Sequence, residues 1–152
     1  MAKAIYFDMD GTLADFYGVE NWLWHLENES AFPYSACTCL INRRGEFARL
    51  IRNLRARGYV VGIISWGSRE ASSDYMKAIR KAKKVWLQQN FPSITWDEIH
   101  VVKYGTSKQN VAKVKGGILF DDNEAVRNEW NAAKNSGKAY SEKEIMEKLG
   151  LL

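Results

Sequence analysis

The stretch IYFDMDGTLADF, residues 5–16, decides the fold: an apolar run ends in two aspartates one residue apart, Asp8 and Asp10, and Gly11 follows them. Residues 4–8, which are apolar up to Asp8, are typical of a strand that is buried on both faces of a sheet. Two neighbouring carboxylates oppose each other's ionisation, so a cation or a proton must compensate them. The stretch therefore predicts a buried strand that ends at a charged site.

Strands and helices alternate along the rest of the chain. Apolar runs at residues 59–65, 98–102 and 116–122 predict three further strands. Helical spacing predicts helices at about 45–57, 69–89, around 111, at 126–137 and around 145–149. Because parallel strands joined by helices require right-handed crossovers, this order predicts an α/β fold: a three-layer α/β/α sandwich around a parallel, Rossmann-like sheet.

The composition indicates one globular unit. The chain has 152 residues, 46% of them hydrophobic and 26% charged, which predicts a single domain over residues 1–152 without a linker. The net charge of +4 favours anionic partners such as phosphates or nucleic acid. Cys37 and Cys39 are too few for a disulfide framework, and no apolar run of signal or membrane length precedes the first motif. We therefore expect free thiols, a cytoplasmic location and no membrane partner.

Polar signals lie at the ends of the predicted strands, where α/β sheets bind their ligands. They are Asp8 and Asp10 with Gly11 and Thr12, Ser65 with Trp66, Lys108 at the start of a helix, and Asp121 with Asp122. Lys103 is the second choice for the lysine, because it follows the third strand too closely. By itself the aspartate pair at 121–122 could also cap the helix that follows it.

The chain resembles the haloacid dehalogenase (HAD) superfamily of phosphohydrolases over residues 5–123. The resemblance lies in four motifs in the same order: DxDGT, the strand-end serine, the lysine and the paired aspartates. The resemblance implies a HAD-like fold in which Asp8 forms an aspartyl-phosphate. Asp10 would protonate the leaving group and then activate water, and an aspartate at this position is the phosphatase choice of the superfamily.

The resemblance also implies a magnesium site and a phosphate site. Asp8, the backbone carbonyl of Asp10, Asp121 and Asp122 would bind Mg²⁺, a hard cation that prefers oxygen ligands. The phosphoryl oxygens would be held by the side chains of Ser65 and Lys108 and by backbone amides around Gly11, Thr12 and Trp66. Carboxylate attack on a phosphoryl group independently requires such positive charge, because two anions must approach each other.

The other ionisable residues have simpler interpretations. His25 with Cys37 and Cys39 has the wrong spacing for structural zinc, and His100 reads as a hydrogen-bonded packing residue. The basic residues of two helices are expected to form solvated faces. They are Arg49, Arg52, Arg55, Arg57, Lys77, Arg80, Lys81, Lys83 and Lys84.

Residues 15–44, which we call the insertion, are the only room for a substrate-selecting cap. The insertion is rich in aromatic residues, among them Phe16, Tyr17, Trp22 and Trp24. These residues either form a small core of their own or stack on a planar ligand such as a nucleobase. Both explanations are open at this stage.

The segments DMDGTLADF, KKVWLQQNFP, VVKYGTSK and ILFDDN are similar to the 5′(3′)-deoxyribonucleotidase branch of the superfamily. The similarity implies Mg²⁺-dependent hydrolysis of nucleoside monophosphates. One alternative is a phosphatase of polynucleotide ends or of another bulky phosphate ester, which a small cap would admit. An alternative of a different class is a non-catalytic module that binds phosphate or nucleic acid.

Overall fold

The computed structural model describes residues 2–134 and 137–152, which contain a five-stranded parallel sheet with helices on both faces. The strands are β1 (Ala4–Phe7), β2 (Val60–Trp66), β3 (Glu98–Val102), β4 (Ile118–Phe120) and β5 (Ala139–Tyr140). Their order across the sheet is β3-β2-β1-β4-β5, and every neighbouring pair is parallel. The predicted α/β fold is confirmed.

The helices follow the strands along the chain. They are α1 (Trp22–Glu27), α2 (Phe32–Ala36), α3 (Arg44–Ala56), α4 (Ser73–Asn90), α5 (Lys108–Val111), α6 (Glu124–Ala132) and α7 (Ile145–Gly150). Short 3₁₀ helices span Phe16–Gly18 and Glu142–Glu144. Within the described residues, no helix is long and apolar enough to span a membrane.

Strand β1 is apolar throughout because both of its faces are covered. Ile5 and Phe7 pack on one face, in a cluster that includes residues of α3, α4 and α7. Ala4 and Tyr6 pack on the other face, with residues of α5 and α6. All four side chains are fully buried, as expected for a central strand of a parallel sheet.

The sheet register brings the predicted site residues to one edge. Phe7, the last residue of β1, lies beside Ile63 of β2 on one side and Phe120 of β4 on the other. From β1 the chain first builds β2 and β3 on one side and then β4 and β5 on the other. The gap between β1 and β4 is therefore the switch point, where ligands bind in such sheets.

Several element boundaries differ from those predicted. Helix α4 starts at Ser73 instead of near 69, because Ser72 is its N-cap and accepts a hydrogen bond from the amide of Tyr75 (3.1 Å). Strand β4 is limited to Ile118–Phe120. Helix α6 ends at Ala132, and the rest of the helix predicted to 137 falls partly on residues 135 and 136, which lie outside the described residues. Strand β5 was not predicted.

The insertion is attached to α4. Phe16 and Tyr34 pack with their ring centroids 4.7 Å apart and join Tyr75 of α4 in one buried cluster. The carboxylate of Glu29 accepts hydrogen bonds from the amide (2.9 Å) and the hydroxyl (2.7 Å) of Ser72. The insertion is therefore held at the N-terminal end of α4 by both apolar and polar contacts.

Candidate active site

A tight turn follows β1 and shapes the site. The carbonyl of Met9 accepts hydrogen bonds from the amides of Thr12, Leu13 and Ala14, at 2.9–3.0 Å. Gly11 has a φ of +83°, and a Cβ atom at this position would lie 2.3 Å from a carboxylate oxygen of Asp122. The turn therefore requires glycine both for its backbone conformation and for the close approach of the two segments.

Three carboxylates converge beside this turn. Asp8, Asp121 and Asp122 each offer an oxygen atom, and these atoms lie within 4.8 Å of one another. The hydroxyl of Thr12 links two of the carboxylates, with Asp8 Oδ2 at 3.1 Å and Asp122 Oδ1 at 3.2 Å. Burial, and then the charge of Asp8, raise the pKa of both Asp121 and Asp122.

This trio of carboxylates suits a hard divalent cation. All of its donor atoms are carboxylate oxygens, they come from the ends of β1 and β4, and Asp8 and Asp121 are buried. Mg²⁺ prefers such ligands and keeps some of its waters. The side chain of Asp10 is not a member of the trio, and the role of its backbone carbonyl as a metal ligand remains a prediction.

Lys108, the first residue of α5, neutralises part of the negative charge of the carboxylate trio. Its Nζ atom donates to Asp8 Oδ1 at 2.9 Å and to Asp121 Oδ2 at 2.7 Å, and the residue is 3% exposed. Burial would lower the pKa of Lys108, but the charges of Asp8 and Asp121 outweigh burial and raise it. Lys103 is exposed, so the geometry favours Lys108 as the lysine of the site.

A second buried lysine, Lys83, compensates Asp10. Its Nζ atom donates to Asp10 Oδ2 (3.0 Å), Ser65 Oγ (2.6 Å) and the carbonyl of Trp66 (2.8 Å). The side chain of Lys83 is 1% exposed, so the prediction that it belongs to a solvated helix face is wrong. The paired aspartates thus have separate cationic partners, one from α4 and one from α5.

The pKa of Asp10 depends on this setting. Burial raises its pKa, and the nearby charge of Lys83 works in the opposite direction, with a net rise. A raised pKa favours the protonated carboxyl, which is the form that a general acid needs.

The predicted phosphate-binding residues occupy different positions around the site. The amide of Gly11 donates to the carbonyl of Ala14 (2.8 Å) and that of Thr12 to the carbonyl of Met9 (3.0 Å), so both amides have partners within the turn, and their role in phosphate binding remains a prediction. The hydroxyl of Ser65 is fully buried against Lys83, whereas Trp66 lines the cleft. The role of Ser65 and Trp66 in phosphate binding remains a prediction.

A cleft of about 620 Å³ opens above the carboxylates. From the insertion it is lined by Phe16, Tyr17 and Trp22. Phe16 is almost completely buried, so it belongs mainly to the insertion's own core, whereas Tyr17 is 54% exposed. Trp24 packs against His25 and is absent from the described cleft lining, so the structure does not bring it to the site.

Loops that follow the strands of the sheet also contribute to the lining. Ser68 and Arg69 follow β2, and Tyr104 follows β3. The sequence does not single out these three residues: Ser68 and Arg69 lie in a loop without a recognisable motif, and Tyr104 lies within the VVKYGTSK segment without an assigned role. Their position after the carboxyl ends of neighbouring strands is the one signal that could have identified them.

The remaining predictions for cysteine and histidine agree with the structure. Cys37 and Cys39 are free thiols. Burial, and then the charge of Asp10, raise the pKa of Cys37 to about 12, which keeps it protonated and unreactive. His100 Nε2 lies 2.8 Å from Glu98 Oε1, as expected for a hydrogen-bonded packing residue.

Comparisons with known proteins identify a solved structure that has a similar fold. Neither a family model nor a curated protein sequence matches the chain. Among solved structures, the chain is similar to D,D-heptose 1,7-bisphosphate phosphatase from Burkholderia thailandensis, with a TM-score of 0.50 and 11% identity over 97% of this chain and 99% of that one. At this identity the similarity shows a shared fold alone, an α/β fold with a parallel sheet covered by helices on both faces.

Proposed function

We propose that the chain is a Mg²⁺-dependent phosphomonoesterase that acts through an aspartyl-phosphate on Asp8. The observation that carries the proposal is the separate pairing of Asp8 with Lys108 and of Asp10 with Lys83, at 2.9 and 3.0 Å, beside the carboxylate trio. A surface turn or a helix cap has no need of two buried lysines. A site that must hold a phosphoryl group does need fixed positive charge.

The residues have distinct roles in the proposed reaction. A carboxylate oxygen of Asp8 attacks phosphorus, and the bond between phosphorus and the leaving oxygen breaks. Asp10 donates its proton to that oxygen, so the product leaves as an alcohol. Asp10 then accepts a proton from a water molecule, whose oxygen attacks the phosphorus of the aspartyl-phosphate and releases inorganic phosphate with Asp8 restored.

Positive charge supports both steps. Lys108 and Lys83 hold Asp8 and Asp10 in place and offset the negative charge that accumulates around phosphorus. Asp8, Asp121 and Asp122, with the carbonyl of Asp10, would hold the divalent cation, which supplies charge neutralisation for the approach of two anions. The shared fold with a protein named as a phosphatase supports the same reaction class.

The proposed substrates are nucleoside monophosphates, with the insertion acting as a small cap. The aromatic lining of the cleft supports this choice, because planar bases stack on aromatic rings. The alternative substrate, a polynucleotide end, is disfavoured by carboxylates in the cleft lining at Glu27, Glu29 and Glu70, which would repel further phosphates.

Phosphate release with and without Mg²⁺ tests the proposal. The substrate panel should include nucleoside 5′- and 3′-monophosphates, phosphorylated oligonucleotides and sugar phosphates. We expect Mg²⁺-dependent release that Asp8→Asn abolishes, while Asp74→Asn, which changes an exposed carboxylate of α4, has no effect.

Two results would contradict the proposal. Normal release by Asp8→Asn would rule out the covalent mechanism. Absence of release from every substrate, combined with binding of inorganic phosphate or an oligonucleotide, would favour the non-catalytic binding module.

A further inference from the structure

A continuous row of side chains leads from Lys108 along the lining of the cleft. Lys108 Nζ lies 5.4 Å from the ring centroid of Trp66, and the rings of Trp66 and Tyr104 are 4.9 Å apart. The guanidinium carbon of Arg69 lies 4.8 Å from the Tyr104 ring centroid. We call Trp66, Tyr104 and Arg69 the core wall.

The core wall is built on two neighbouring strands of the sheet. Trp66 ends β2 and pairs with Val102, the last residue of β3, and Tyr104 follows two residues later. The indole Nε1 atom of Trp66 donates to the carbonyl of Thr106 (2.8 Å), which fixes the ring. Because both rings are held by the sheet and its adjoining loops, they are positioned before any ligand binds.

Arg69 fixes the outer ring of the wall. One of its terminal nitrogens donates to the hydroxyl of Tyr104 at 3.1 Å, while its guanidinium group lies over the ring. Tyr104 nevertheless stays 41% exposed and lines the cleft. Tyr104 therefore offers a fixed and partly uncovered aromatic face to a ligand in the cleft.

Aromatic residues of the insertion line the same cleft. Tyr17 and Trp22 lie edge to face, with ring centroids 5.1 Å apart. The sequence alone predicts base stacking only for the aromatic residues of the insertion. The structure instead provides aromatic surface on both the insertion and the core of the protein.

We propose that the core wall is the stacking surface for the planar, uncharged part of the leaving group, which is the base of a nucleoside monophosphate. The inference rests on the proposed function and extends it, because it assigns base recognition to Trp66 and Tyr104. The row begins at Lys108, beside the nucleophile, so a phosphoryl group held there directs the rest of the substrate along the wall. Glu70, which also lines the cleft, disfavours a second anion next to Arg69.

The variant Tyr104→Leu tests this assignment. It removes the aromatic ring but keeps an apolar side chain. We expect the ratio of kcat/KM for nucleoside 5′-monophosphates to kcat/KM for ribose 5-phosphate to fall roughly tenfold, because stacking on one ring contributes about that factor to the binding of a base. Tyr59→Leu is the matched control, since Tyr59 lies under Arg57 (5.7 Å) outside the described cleft lining, and it should leave the ratio unchanged.

Binding to an inactive variant separates this inference from the proposed function. Calorimetric titration of Asp8→Asn with nucleoside 5′-monophosphates should show a roughly tenfold loss of affinity when Tyr104→Leu is added. The inference is overturned if Tyr104→Leu changes neither the ratio nor the affinity, even when the parent protein releases phosphate. If no substrate is hydrolysed, the proposed function fails, and the titration alone decides whether the wall binds bases.

Discussion

Lys83→Met is the most informative substitution, because Lys83 was expected on the surface and lies at the centre of the site. Methionine keeps the length of the side chain and removes the ammonium group. The change leaves Asp10, Ser65 Oγ and the carbonyl of Trp66 without the donor that they share. The expected result is a loss of both stability and activity.

The size of the stability loss follows from the geometry. At 3.0 Å the attraction between Lys83 and Asp10 is about 5.5 kcal/mol for an effective dielectric constant of about 20. Part of this attraction offsets the desolvation of both groups, and breaking a buried pair typically costs about 3–5 kcal/mol. Because the Asp10 side chain keeps 18% exposure, we expect the lower end, about 3 kcal/mol in the free energy of unfolding.

Denaturant unfolding measures the stability loss, with Lys84→Met as the matched control. Lys84 is the next residue of α4 and is exposed, so its substitution should change the free energy of unfolding by less than about 0.5 kcal/mol. In the double variant Lys83→Met/Asp10→Asn much of the loss should disappear, because no uncompensated charge remains. Equal stability of Lys83→Met and Lys84→Met would refute the reasoning.

The activity loss is separable from the stability loss. Phosphate release by Lys83→Met should fall roughly 100- to 1,000-fold under conditions in which the variant is fully folded, as for removal of a preorganised donor in other active sites. A folded Lys83→Met protein with normal kcat and KM would show that this lysine serves the fold alone.

Three further predictions concern the turn, the cation site and a buried carboxylate. Gly11→Ala should lower the free energy of unfolding by about 2 kcal/mol and should lower activity, because the added Cβ would displace Asp122. Gly45→Ala is the control: Gly45 lies in α3 with open space around it, so this change should stabilise the protein slightly in the same unfolding assay. Millimolar Mg²⁺ should raise the midpoint of thermal unfolding, and Asp122→Asn should reduce that rise. Burial alone would raise the pKa of Glu98, but hydrogen bonds from Tyr6 and other donors lower it below its ordinary value of 4.5. The ionised Glu98 carboxylate therefore stabilises the folded protein above pH 4.5, and this stabilisation is lost as the pH falls through the lowered pKa of the folded state. The difference in stability between the wild type and Glu98→Gln should shrink below pH 4.5. A difference that is constant with pH would contradict this assignment.

The centre of the fold was predictable because β1, β2 and β4 are buried on both faces and α3, α4 and α6 each have a clear apolar period. Strand β1 is continuously apolar. Gly58, with a φ of +91°, follows α3 and lies next to the helix end that the sequence predicts at about residue 57. The order of strands was not predictable in the same way. It depends on which helix covers which face of the sheet, and the pattern of a single element does not contain that information.

The charged residues of the site were predictable at the strand ends and at the start of α5, but not in the middle of α4, where Lys83 lies. Lys83 sits four residues after Ile79 and three before Trp86, so it lies on the apolar face of α4, and its position was the signal of its burial. The surrounding basic residues concealed that signal. Trp22 and Trp24 are two residues apart on α1 and cannot share one face, which explains why Trp22 lines the cleft and Trp24 does not.

The attachment of Glu29 to Ser72 has a consequence for the kinetics of turnover. Ser72 caps α4 and also donates hydrogen bonds to Glu29 of the insertion. The start of α4 and the part of the insertion that contains Glu29 are therefore joined directly. Enzymes with mobile lids often turn over at the rate of lid opening. In the proposed reaction, the binding free energy of the substrate would then not be diverted to ordering the insertion. We therefore expect the rate of the proposed reaction to depend on phosphoryl transfer and on the departure of phosphate, and not on opening of the insertion.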